Sequence, residues 1–165
     1  DEYINRKYTP DPPTKKMLSQ VIAFTRYIGD ELSFQVRDGL SVDDALDAPV
    51  MLGVFIELPE DAAADFVDWY RTEHAPMVLE CPLWRMVRHM RIVDADPNPF
   101  THMFLHYIES EDALKSDELA AARATEWRSR LAQNDWFKTN PVMYHRRGKR
   151  YHKGEPEAAT FTLDI

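Results

Sequence analysis

A chain of 165 residues that is 44% hydrophobic can bury a core, and its length fits one domain or a pair of small repeats. Its formal charge of −8 argues against nucleic acid or an anionic membrane surface as a partner. No apolar run approaches the roughly 20 residues that span a bilayer, and the opening D-E-Y-I-N-R-K-Y resembles no signal peptide, so the expectation is a soluble cytoplasmic protein.

Taken in chain order, residues 1–39 hold an acidic start, an amphipathic helical pattern and an extended basic-aromatic segment, S-F-Q-V-R. The same order returns at D-E-L-A-A-A-R-A-T-E-W-R-S-R-L and the segment after it, which reads as a tandem repeat. On that reading, 1–39 is the second half of a first repeat, 40–48 is an acidic linker carrying Asp43, Asp44 and Asp47, 49–153 is a complete repeat, and 154–165 is a tail. The run P-V-M-L-G-V-F-I-E-L from Pro49 is β-rich and apolar, as in a central strand. Pro59, Glu60 and Asp61 then start a helix, because proline suits a first turn and carboxylates suit the positive end of the helix dipole. Phe66, Trp69, Tyr70 and His74 fall on one face of it.

Pro76 and Pro82 bracket a connection, after which W-R-M-V-R-H-M-R-I-V alternates. Alternation puts Trp84, Met86, Arg88, Met90 and Ile92 on one face, and Arg85, Val87, His89 and Arg91 on the other. After the turn D-A-D-P-N-P, F-T-H-M-F-L-H-Y-I-E is a second hairpin strand. Ser110 to about Asn134 is rich in Ala, Leu, Glu and Arg and predicts one long helix, and V-M-Y-H-R-R-G-K-R-Y-H a last strand. The order β-α-β-β-α-β defines an α+β, ferredoxin-like unit with helices over one sheet face and an apolar opposite face that calls for a second sheet.

The pattern W-Y-x-x-E-H-x-P-x-x-L-x-x-P-x-W-x-x-x-R, from Trp69 to Arg88, resembles the dimeric α+β barrel superfamily, in particular its EthD-like branch. Leu83 stands where such proteins commonly carry glycine before the tryptophan. The resemblance implies two ferredoxin-like units pairing sheets into a barrel, as a homodimer or as an intrachain pseudo-dimer. It also implies a pocket between each sheet and its own helices. Proteins of this kind include cofactor-free monooxygenases, aromatic polyketide cyclases, decarboxylases, dehydratases and haem-handling proteins.

Residue by residue, His74 is placed to move a proton near neutral pH, or else simply to cap its helix. Glu73 points about 100° away and is assigned to solvent or to a salt bridge with Arg71 or a strand arginine. Arg88 either binds a carboxylate or phenolate in the pocket or forms a salt bridge on the barrel side. His102 and His106 make H-x-x-x-H, but four steps along a strand separate them by about 13 Å, too far to share one metal. His106 is the candidate to meet His74. Cys81, flanked by Glu80 and Pro82, lacks a neighbouring cation to lower its pKa and reads as a packed thiol. No C-x-x-C, glycine-rich phosphate loop, G-x-S-x-G or H-E-x-x-H is present, so neither a metal nor a nucleotide cofactor is expected. The candidate catalytic residues are His74, Arg88 and His106. Phe55, Phe66, Trp69, Tyr70, Met77, Trp84, Met103 and Tyr144 are the candidate lining for a small hydrophobic aromatic ligand. The expected activity is cofactor-independent acid–base chemistry on an aromatic or polyketide-like carbonyl compound, of cyclase, dehydratase or decarboxylase type. A cofactor-free monooxygenase and a non-catalytic small-ligand or haem-binding protein are the alternatives.

Overall fold

The computed structural model describes residues 25–148 and Arg150, together with Lys16 and Ser19. Five strands form one antiparallel sheet: β1 (Arg26–Val36), β2 (Val50–Ile56), β3 (Trp84–Asp96), β4 (His102–Ile108) and β5 (Thr139–His145), in the spatial order β1-β3-β4-β2-β5. Strands β2 to β5 with their helices make the β-α-β-β-α-β unit, and β1 adds an edge strand along β3. Before β2, Ser41 caps the short helix α1 (Val42–Leu46) by accepting the Asp44 N–H at 3.0 Å.

The first covering helix is longer than the sequence pattern predicts. It runs as α2 (Glu60–Trp69), a π-helical turn (Tyr70–His74) and α3 (Ala75–Leu79), passing through Pro76. Proline lacks an N–H and its ring crowds the carbonyl four residues back, which normally ends a helix. Here the Ala75 N–H bonds to the Tyr70 carbonyl five residues back, so the wider π turn resets the ladder just ahead of Pro76.

The single long helix predicted from Ser110 to Asn134 is instead three pieces: a 3₁₀ turn (Glu111–Lys115), α4 (Asp117–Arg123) and α5 (Glu126–Leu131). Ser116 and Thr125 break it. Each adopts extended backbone and its hydroxyl accepts an N–H three residues on, from Leu119 at 3.2 Å and from Arg128 at 3.3 Å.

The core lies between the sheet and these helices. Phe66 and Trp69 of α2, Val78 of α3, Val87 of β3, Phe104 and Ile108 of β4, Leu119 of α4 and Leu131 of α5 are all buried there, with the Cys81 thiol. Register corrects one expectation. Trp84 pairs with Ile108, Met86 with Tyr107 and Val87 with His106, so β3 carries one extra residue at Arg85–Met86. That bulge transfers Trp84 to the helix-side face with Val87 and His89, and leaves Met86, Arg88 and Met90 on the opposite face.

Candidate active site between sheet and helices

A cavity of about 270 Å³ opens between the helix side of β2, β4 and β5 and the covering helices. Its polar centre comes from Tyr70, His74, Trp84 and His106. The Trp84 indole N–H donates to His106 Nδ1 at 3.2 Å, so Nδ1 carries a lone pair and the neutral ring holds its proton on Nε2. Nε2 lies 3.4 Å from the Tyr70 hydroxyl oxygen. With His106 donating to that oxygen, the phenolic hydrogen is free for another acceptor. Burial raises the Tyr70 pKa far above the ordinary phenol value, so the hydroxyl stays protonated and acts as a donor. Burial likewise pushes His106 down to about 3, with smaller contributions from His74 and Arg123, which keeps its ring neutral.

His74 belongs to the π turn and packs against both aromatic neighbours, its ring centroid 4.8 Å from Trp69 and 5.6 Å from Tyr70. Residues five apart stand about 140° apart on a regular α-helix, so Trp69 and His74 meet because the turn is widened. Burial lowers the His74 pKa to about 4, opposed more weakly by the Ala122 backbone and by Glu73, while Arg123 and Arg128 push it further down. Its Nδ1 is buried and has no hydrogen-bond partner. An orphaned buried ring nitrogen is uncommon and costly; His89 Nε2, on the same sheet face, is another.

Glu73 forms no salt bridge with Arg71 or with a strand arginine. It accepts the Trp69 indole N–H at 2.9 Å, and Arg71 pairs with Asp68 at 3.0 Å. The indole hydrogen bond ties the start of the π turn to its interior.

Of the residues proposed from sequence, His74, His106, Phe66, Trp69, Tyr70 and Trp84 line the cavity. The others do not. Arg88 lies on the opposite sheet face, paired with the Glu31 carboxylate of β1 and 3.4 Å from the Tyr107 hydroxyl. Phe55 and Met103 pair with each other across β2 and β4 on that face, and Phe55 is covered by Tyr27 with ring centroids 4.6 Å apart. Tyr144, opposite Met51, is 43% exposed there. Met77 packs against the core from α3.

Sequence reading missed Arg123 at the end of α4 and Arg128 in α5, together with Phe104, Leu114, Leu119 and Phe137. The pocket wall also takes Leu52 and Val54 from β2. The Phe104 signal was available: it shares a strand face with His102 and His106. His102 itself lies beyond the cavity lining, its Nδ1 3.0 Å from the Thr101 hydroxyl. Among the described residues, no three His, Cys, Asp or Glu side chains gather as a metal site, and no helix is long and apolar enough to cross a membrane.

The sheet order and the paired helices on one face can be set beside known structures. An anthrone oxidase-like protein superposes with a TM-score of 0.59 over 97% of this chain and 68% of its own, at 12% identity. The chain shares the α+β, ferredoxin-like fold of that structure. Two further structures match: a haem-degrading enzyme from Listeria monocytogenes, with a TM-score of 0.47, 12% identity and coverage of 72% of this chain and 71% of the other, and an ethyl tert-butyl ether D (EthD) family protein from Bacillus halodurans, with a TM-score of 0.38, 24% identity and coverage of 59% and 98%. No family model and no curated protein matches the sequence. Within this fold, the helix-side cavity and the open sheet face are distinct surfaces, and the β3 bulge assigns Trp84 to the first and Arg88 to the second.

Proposed function

We propose that the protein is a cofactor-independent acid–base enzyme acting on a small aromatic or polyketide-like carbonyl compound, in a cyclisation, dehydration or decarboxylation. The observation that carries this reading is the pairing, in one apolar cavity, of an unpartnered buried His74 Nδ1 with a Tyr70 hydroxyl whose own proton is free. In a cyclisation or dehydration, His74, neutral in the empty pocket, takes a proton from the carbon beside the ligand carbonyl; in a decarboxylation the C–CO2 bond breaks instead and a protonated His74 returns the proton to that carbon. Tyr70 donates its hydrogen bond to the oxygen on which negative charge develops, and His106, held by Trp84, keeps the phenol oriented. The growing negative charge on the ligand raises the basicity of His74 as the proton moves, which suits a histidine whose resting pKa is low. In this scheme Tyr70 takes the oxygen-stabilising role, since Arg88 belongs to the other face. A cavity of about 270 Å³ lies at the small end of ligand pockets, which favours a compact ring system. The same base and donor would serve an oxygen-consuming reaction, and oxygen uptake during turnover distinguishes that chemistry.

The outer sheet face supports a homodimer. It carries Phe34 and Tyr144 at 48% and 43% exposure beside buried Met86 and Phe55, a composition suited to meeting a second sheet.

The test is a thermal-shift screen with phenols, quinones and aromatic acids, followed by turnover assays on the compounds that stabilise the protein. His74→Ala is expected to lose turnover by about 10²- to 10⁴-fold, the range of general acid–base catalysis. Tyr70→Phe should lose turnover with ligand binding retained. Wild-type turnover in His74→Ala would overturn the reading.

A further inference from the structure

The cavity is cationic in a protein that carries a net charge of −8. Its lining contains Arg123 and Arg128 and no aspartate or glutamate. Neither guanidinium has a carboxylate partner among the described residues, whereas Arg85, Arg88 and Arg130 each hold one, in Glu109, Glu31 and Asp65. Arg128 is seated over the Phe137 ring, its guanidinium carbon 5.6 Å from the centroid, which occupies the flat face of the cation and leaves its N–H edge for an acceptor. Both arginines act electrostatically on His74, and Arg123 also on His106, so they stand close to the polar centre. Two neighbouring like charges beside an apolar pocket are unfavourable unless a third group neutralises them.

We infer that Arg123 and Arg128 form a carboxylate-binding subsite at the cavity, and that the ligand is an aromatic acid whose carboxylate they hold while its ring lies among Phe66, Trp69, Phe104 and Phe137. This deepens the proposed function, resting on the same cavity, by naming the class of ligand. Guanidinium groups suit the task because their forked N–H donors match a carboxylate in geometry and charge. Placement follows from the break at Thr125. On an uninterrupted helix, residues 123 and 128 would stand about 140° apart and could not both face one ligand. Burial is the main cause that holds His74 down, and a bound carboxylate would offset the smaller contribution of the two cations, so ligand and base are coupled: occupancy makes His74 more basic.

The experiment is titration calorimetry with 1-naphthoate, its neutral isostere 1-naphthamide and 1-naphthyl phosphate, on wild type, Arg123→Gln, Arg128→Gln and the double variant, all verified as folded by circular dichroism. The expected result is naphthoate binding at least tenfold tighter than naphthamide, a loss of about tenfold in each single variant, and no preference for the acid in the double variant. An upward shift of the His74 pKa on adding naphthoate, followed by NMR, is expected in wild type and absent in the double variant. Equal binding of naphthoate and naphthamide, tighter binding of the phosphate, unchanged affinity in the arginine variants, or no binding at all would each overturn the subsite. The catalytic reading fails separately: wild-type turnover in His74→Ala removes it and leaves the naphthoate preference in place.

Discussion

At the scale of single residues, the Tyr70 hydroxyl owes its availability to two neighbours. Trp84 donates to one nitrogen of His106, so the other nitrogen offers its proton to the phenol oxygen. Trp84→Phe removes that donor and leaves a buried acceptor unsatisfied, for an expected cost of about 1–3 kcal/mol in urea denaturation. Acid should destabilise the protein through its buried histidines. His74 and His89 sit at about 4 and His106 at about 3, all below the unfolded value of 6.5. The unfolded chain therefore binds more protons than the native one below about pH 6.5, and the stability present above that pH drains away as pH falls toward 4 and 3. His89 offers a clean test. It stacks on Phe104 with centroids 4.5 Å apart, and its Nε2 is buried without a partner. His89→Phe is expected to keep the stacking, hold or raise the melting temperature at pH 7, and flatten its decline between pH 6.5 and 4. A wild-type acid slope in that variant would show that His89 does not contribute to it.

At the scale of elements, the site depends on two departures from the regular α-helix. The π turn joins Trp69 to His74, and the capped break at Thr125 brings Arg123 and Arg128 to one cavity. Thr125→Ala removes the side-chain acceptor for the Arg128 N–H and is expected to cost about 1 kcal/mol, with a measurable loss of any acid ligand's affinity, whereas Ser116→Ala should match the stability loss without the affinity loss. Denaturation and calorimetry on the pair separate these effects. These departures also mark what the sequence could say. The strands and the aromatic face of the first helix were legible because apolar spacing follows the period of each element, and that spacing led directly to Phe66, Trp69, Tyr70 and His74. The two arginines were not. Ala, Leu, Glu and Arg between Ser110 and Asn134 satisfy helix propensity throughout, and a Ser or Thr in such a run announces a cap only once the backbone is seen to be extended there.

At the scale of the whole molecule, the sheet separates two surfaces of different make-up, and the opposite face carries Arg88, Met103, Phe55 and Tyr144 away from the pocket. If that face pairs with a second copy, Tyr144→Glu combined with Phe34→Glu should shift the protein to monomer in analytical ultracentrifugation while each subunit keeps its fold. Unchanged sedimentation would remove this face as the contact. Strict alternation from Trp84 onward put Trp84 and Arg88 together, because a period-two reading has no means to register one additional residue, yet the bulge at Arg85–Met86 parts them. In the language of sequence change, that bulge makes chain length itself a heritable determinant of chemistry. Losing one residue there would swing the indole away from His106 while every downstream strand residue kept its place. Among diverging copies of this chain, a one-residue gap before Val87 would therefore alter the hydrogen bonds that reach Tyr70 more deeply than most substitutions in the pocket wall.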